Sequence, residues 1–131
     1  LTYTNSRFGT SVSFPAELFD ERMEPPQNGD GMTWTAPDGG SLAVYAFNNA
    51  LDVTPDDLAA DTGRDDVDIT YRRVGKDWVV LSGFADGLIF YQRFEFGAGG
   101  IIHAMLLKYP ESGRATYDSV AGPIADSLGG P

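Results

Sequence analysis

The stretch DWVVLSGFADGLIFYQRFEFGAGGIIHAMLLKY, residues 77–109, decides how this chain folds. It holds three apolar runs, Asp77 to Ser82, Leu88 to Phe96 and Ile101 to Tyr109, separated by Ala85-Asp86-Gly87 and Gly97-Ala98-Gly99-Gly100. Connectors this short, carrying Asp and Gly, turn one strand back along the next, so the stretch reads as an antiparallel meander. A sheet with one wet face alternates apolar and polar side chains. Here Trp78, Val79, Val80 and Leu81 run without a polar break, and Ile101, Ile102, Met105, Leu106 and Leu107 put apolar groups on both faces. Both sides of the meander therefore need cover.

Working outward, Asp68 to Val74 enters the meander through Gly75-Lys76. Upstream, Met32 to Ala36 and Ser41 to Asn48 flank Pro37-Asp38-Gly39-Gly40, a strong hairpin signal. Leu1 to Asn5 and Thr10 to Phe14 form two more strands about Arg7-Phe8-Gly9, and Pro15 closes the second. Glu17 to Gly31, with Pro25-Pro26 and Asn28-Gly29-Asp30-Gly31, reads as a loop whose start, Ala16 to Phe19, makes one helical turn.

Two helices are available as cover. Thr54 is an N-cap, Pro55 suits the first helical position, Asp56 and Asp57 meet the positive end of the dipole, and Gly63 stops the helix near Thr62. The tail from Ser112 carries Tyr117, Val120, Ile124 and Leu128 at spacings of three and four, with Pro123 predicting a kink or frayed second half. The expected fold is α+β: a three-layer α/β/α sandwich about a mostly antiparallel sheet of about six or seven strands.

The chain has 131 residues, the size of one domain, and residues 1–131 are read as such. Nineteen acidic against nine basic residues give a formal charge of −10. That field repels nucleic acid phosphates and anionic lipid heads, so a protein partner is expected, with no nucleic acid and no direct membrane insertion. The absence of cysteine removes disulfides, thiolate catalysis and cysteine metal sites together. No cofactor signature is present. The first residue is Leu1, which a cleaved signal peptide, a lipoprotein leader with its lipid anchor upstream, or trimming of the chain would each explain.

Arg7-Phe8-Gly9-Thr10-Ser11-Val12-Ser13-Phe14-Pro15 resembles the opening aromatic-Gly-x-Ser-x-x-aromatic-Pro segment of the PsbP/Mog1-like superfamily. The long meander, and Tyr109-Pro110 leading into a closing helix, are similar to the later half of that fold. Asp77 to Gly83 and Gly87 to Tyr91 are similar to segments of small exported bacterial proteins of unassigned function. The resemblance implies a PsbP/Mog1-like fold. Its members include photosystem accessory subunits, a nuclear-transport factor that binds a small GTPase, bacterial lipoproteins and secretion chaperones. It implies binding or assisting another macromolecule, in the periplasm or outside the cell. It carries no family-wide catalytic residues onto this chain.

Several residues stand out beside that expectation. His103 is the single histidine, the one side chain whose ordinary pKa suits proton shuttling near neutrality. It lies mid-strand on the face of Ile101, Met105 and Leu107, where a hydrogen-bonded core histidine is the plainer reading. A hydrolase using His103 with a carboxylate is the alternative, although Ser82-Gly83 lacks the Gly-x-Ser-x-Gly elbow. Tyr91, Arg93 and Glu95 share one strand face, either a partner surface or a cross-strand ladder.

Residues Asp52 to Asp68 hold seven Asp and one Arg, a local balance of −6. Asp61, Asp65, Asp66 and Asp68 could hold calcium, since hard cations take clustered carboxylates, but the EF-hand order of ligands is missing. A calcium-stabilised structural module is thus a further alternative. Arg72, Arg73 and Lys76 directly follow the acidic run, and internal charge pairing is expected of them. Trp34 and Trp78 read as core. No catalytic signature appears, so the leading expectation is a binding or accessory domain.

Overall fold

The computed structural model describes residues 1–23, 29–60 and 67–131. Among these, β3 (Glu21–Arg22), β4 (Gly31–Thr35), β5 (Ser41–Asn48), β6 (Val67–Val74), β7 (Trp78–Ala85), β8 (Leu88–Phe96) and β9 (Ile101–Tyr109) pair antiparallel in one sheet. Their order is β3-β4-β5-β9-β8-β7-β6. The meander read from residues 77–109 forms its centre, and β5 inserts beside β9 over eight register pairs. Asp86 and Gly87 both take positive φ, 54° and 78°, as the tight β7–β8 turn requires.

The first two strands stand apart from the main sheet. β1 (Thr2–Thr4) and β2 (Ser11–Ser13) form a separate hairpin rather than joining the sheet. A backbone bridge between Ser11 and Gly129 ties this hairpin to the chain beyond the last helix, and the hydrogen bonds of Ser127 Oγ with Ser13 tie it to that helix's final residue. One outer strand of the sheet is β3, inside the segment expected to be loop.

Helix α1 (Pro55–Ala60) begins as its sequence foretells. Thr54 Oγ1 accepts from the Asp57 amide at 3.1 Å, and the Asp57 carboxylate accepts from the Thr54 amide at 2.8 Å. Helix α2 (Arg114–Ser127) continues through Pro123 with buried Tyr117, Ala121, Ile124 and Ala125 on one side.

The helices pack on opposite faces of the sheet. One core gathers Trp34, Leu42, Met105 and Leu107 from the sheet, Val12 and Phe14 from the hairpin end, and Tyr117 and Ile124 from α2. The other gathers Val79, Leu81, Phe90, Phe94 and Ile102 with Ala59 of α1. The α2 core is deep: Leu42, Met105, Leu107 and Tyr117 have no exposed surface. Tyr109 and Tyr117 stack at 4.8 Å, and the Tyr117 hydroxyl donates to Asp38 in the β4–β5 turn. Among the described residues the α1 face is covered by one short helix, and the sheet dominates.

Candidate functional site

The candidate residues meet on the α2 face of the meander. In β8, Tyr91, Arg93 and Glu95 point to this face, opposite Leu107, Met105 and His103 of β9 respectively. Directly opposed side chains on one face lie within contact range, so the chain places a carboxylate, Glu95, beside its single imidazole. The groups are nevertheless engaged elsewhere. Glu95 accepts from Arg93 Nε at 3.0 Å. His103 Nδ1 lies 2.7 Å from Thr10 Oγ1, and Nε2 lies 3.3 Å from the Pro131 carbonyl oxygen.

A hydroxyl against an imidazole is the arrangement of a nucleophile and its base. Here both residues have no exposed surface. Tight cover explains this: a side-chain carbon at Gly97 would meet the ring and the Pro131 carbonyl, and one at Gly130 would meet the ring itself. The carbonyl of Pro131 can only accept, which assigns the proton to Nε2. Nδ1 is then an acceptor for the Thr10 hydroxyl.

Exposure begins one strand further out. Trp78 opposes Glu95, while Arg73, Val80 and Arg93 stand in one register row across β6, β7 and β8. The two guanidinium carbons lie 5.6 Å (Arg73) and 4.8 Å (Arg93) from the Trp78 ring centroid. Trp78 spreads over the backbone of Gly75, where any side-chain carbon would fall among the indole atoms. Arg93 is only 17% exposed, and Asp126 of α2 approaches it at 3.8 Å. Arg73 and Tyr71 stand exposed beside this cluster. Burial, followed by the nearby Tyr71 and Asp126, pushes the Tyr91 hydroxyl above the ordinary tyrosine range.

Two expectations need correction. Trp78 is not a strand-centre core residue: it opens β7 and is half-buried under arginine. The basic residues do not pair internally with acids among the described residues. Arg72 Nε donates to the Ala59 carbonyl at 2.9 Å, and Arg73 packs on Trp78. Of the candidate calcium set, only Asp68 falls among the described residues. Asp61, Asp65 and Asp66 lie outside the described residues, Asp68 opposes Phe84 on exposed β6, and no group of three His, Cys, Asp or Glu among the described residues could hold a metal ion.

Sequence reading missed two features. The Arg73–Trp78–Arg93 cluster needs cross-strand register, which no local pattern encodes. On the opposite face, a groove of about 430 Å³ lies between Leu58 of α1 and a floor that includes Phe90, Phe94 and Leu106, with Asp86 and Lys108 also lining it.

No family model and no curated protein matches the chain. Among solved structures, it is similar to cyanobacterial PsbP (CyanoP) from Synechocystis sp. PCC 6803, with a TM-score of 0.68 at 13% identity, over 100% of this chain and 92% of that one. Likeness at this identity speaks for fold and not for activity. The chain has a PsbP-like fold, a mostly antiparallel sheet with two helices.

Proposed function

We propose that this is a non-catalytic binding or accessory domain of an exported bacterial protein, which engages another protein through the Trp78–Arg93 face. The observation that carries the reading is the half-exposed Trp78 held between Arg73 and Arg93, beside Tyr71 and Tyr91. Trp, Tyr and Arg are the residues that dominate interface energetics, because they bury large flat surfaces at little entropic cost while keeping polar handles. Arg93 is already oriented by Glu95, so little further ordering is needed on binding. The exposed cation on this face, Arg73, on a chain of charge −10 matches an acidic segment on the partner.

The full burial of His103, with its nitrogens facing Thr10 and Pro131, supports this reading over a hydrolase. The cores of α1 and α2 on opposite sheet faces support a three-layer α/β/α plan. Periplasmic or secreted placement is part of the proposal. No helix among the described residues is long and apolar enough to cross a membrane.

The test is capture from bacterial envelope extract by the immobilised domain, in parallel with a Trp78→Ala/Arg93→Ala variant whose folding is checked by circular dichroism. A partner retained by the unaltered domain and lost with the folded variant supports the reading. Equal retention by both, or His103-dependent ester hydrolysis, refutes it.

A further inference from the structure

Strand β6 ends the sheet, and no other described strand pairs with its outer side. It is eight residues long, and six of them, Asp68 and Thr70 to Val74, are exposed. An edge of this length offers unpaired amides and carbonyls to another strand, a hazard that proteins ordinarily blunt. Its sequence, Val67-Asp68-Ile69-Thr70-Tyr71-Arg72-Arg73-Val74, has a complementary pattern when laid antiparallel to itself. A dyad between Thr70 and Tyr71 sets Asp68 opposite Arg73, Ile69 opposite Arg72 and Val67 opposite Val74.

In a regular strand that register is forbidden. Directly opposed residues must share a face, and residues five or three apart in a regular strand lie on opposite faces. β6 is not regular: its pairing with β7 shifts between Ile69 and Tyr71, so Thr70 has no register partner. The register with β7 then places Asp68, Tyr71 and Arg73 on the α2 face, with Phe84, Ser82 and Val80. Val67, Ile69, Arg72 and Val74 fall on the α1 face, with Ala85, Gly83, Leu81 and Val79. Each opposed pair across the dyad is now on one face. A bulge that would otherwise only disturb an edge makes this strand self-complementary.

We propose that β6 pairs with β6 of a second copy of the chain, antiparallel about a dyad at Thr70–Tyr71, joining two seven-stranded sheets into one. Two Asp68–Arg73 pairs flank the axis, one on each side. Val67 and Val74, the latter 39% exposed in the single chain, meet across it twice. The two-fold uses the β6 edge of each copy and is closed, so pairing through β6 stops at the dimer. The dimer sets both Trp78–Arg93 faces on the same side of one sheet; its formation does not depend on the partner proposed above.

Sedimentation equilibrium of the whole chain tests this. A dimer that dissociates on dilution is expected. Arg73→Asp alone and Asp68→Arg alone each place like charges across both sides of the axis and weaken dimerisation about ten-fold or more. The Asp68→Arg/Arg73→Asp double reversal re-pairs them and restores it. Restoration separates the proposal from mere misfolding, because two damaging changes do not repair a fold. A monomer at concentrations up to about 1 mM, or a dimer indifferent to the single reversals, overturns it.

Discussion

Replacing Thr10 by Val should destabilise the domain by about 1–3 kcal/mol, the cost of leaving a buried acceptor without its donor. His103 Nε2 faces the Pro131 carbonyl at 3.3 Å, which leaves Nδ1 to accept from Thr10 Oγ1 at 2.7 Å. Neither residue has exposed surface, so water does not replace the lost hydroxyl. Valine keeps the shape and removes only the donor. For a chain of this size each kcal/mol moves Tm by roughly 3–5 °C, so a fall of about 3–15 °C is expected in thermal unfolding followed by circular dichroism.

A second variant makes the test specific. His103→Leu strands the Thr10 hydroxyl instead, while the Pro131 carbonyl keeps the Ala98 amide at 3.0 Å. The double variant removes both partners and should be less destabilised than the sum of the singles by about 1 kcal/mol or more. A Tm for Thr10→Val within about 1 °C of the unaltered domain, or strict additivity in the cycle, would refute the buried hydrogen bond and its role in seating the first hairpin on β9.

Other outcomes follow from the same structure. Tyr117→Phe should cost only about 0.5–1.5 kcal/mol, because Asp38 still accepts from the Gly40 amide after losing the hydroxyl; chemical denaturation reads this. Gly122→Ala in α2 meets open space and should stabilise by about 0.5–1 kcal/mol, and the exposed Pro123→Ala should add to it by restoring a helical amide. Gly83→Ala should unfold or severely loosen the β6–β7 pairing, since its side-chain carbon would fall on the Asp68 carbonyl; loss of amide protection in β6 would show it. Burial raises the hydroxyl pKa of Tyr45, Tyr91, Tyr109 and Tyr117 in the folded state. The folded form then holds protons that the unfolded form releases, so stability is intact below the unfolded value of about 10 and falls as pH rises beyond it. Absorbance titration near the tyrosinate band should show these four ionising late, together with alkaline unfolding.

How much of this was legible in the chain varies with the range of the interaction. The Thr54–Asp57 cap, the Asp86-Gly87 turn and the alternating faces of Leu88 to Phe96 depend on neighbours within a few residues, and local physics writes them into the sequence. The burial of His103 was legible too, from its apolar strand neighbours. The Trp78–Arg93 cluster was not, because it joins residues whose proximity depends on register across three strands. The same holds for the first hairpin: its strands read correctly as strands, but nothing in residues 1–14 says that they pair with each other and lie over α2 rather than extend the sheet.

By itself, then, the order of amino acids settled most of the elements, the antiparallel meander and the need to shield both its sides, since turn chemistry and hydrophobic period act over a few residues. Only the tertiary structure decided which strand ends the sheet, where a shift in β6 falls against β7, and which side chains stay in water once the helices are seated. Those outcomes turn on long-range pairing, in which segments distant along the chain compete for one surface, and that competition is resolved only when the whole core closes.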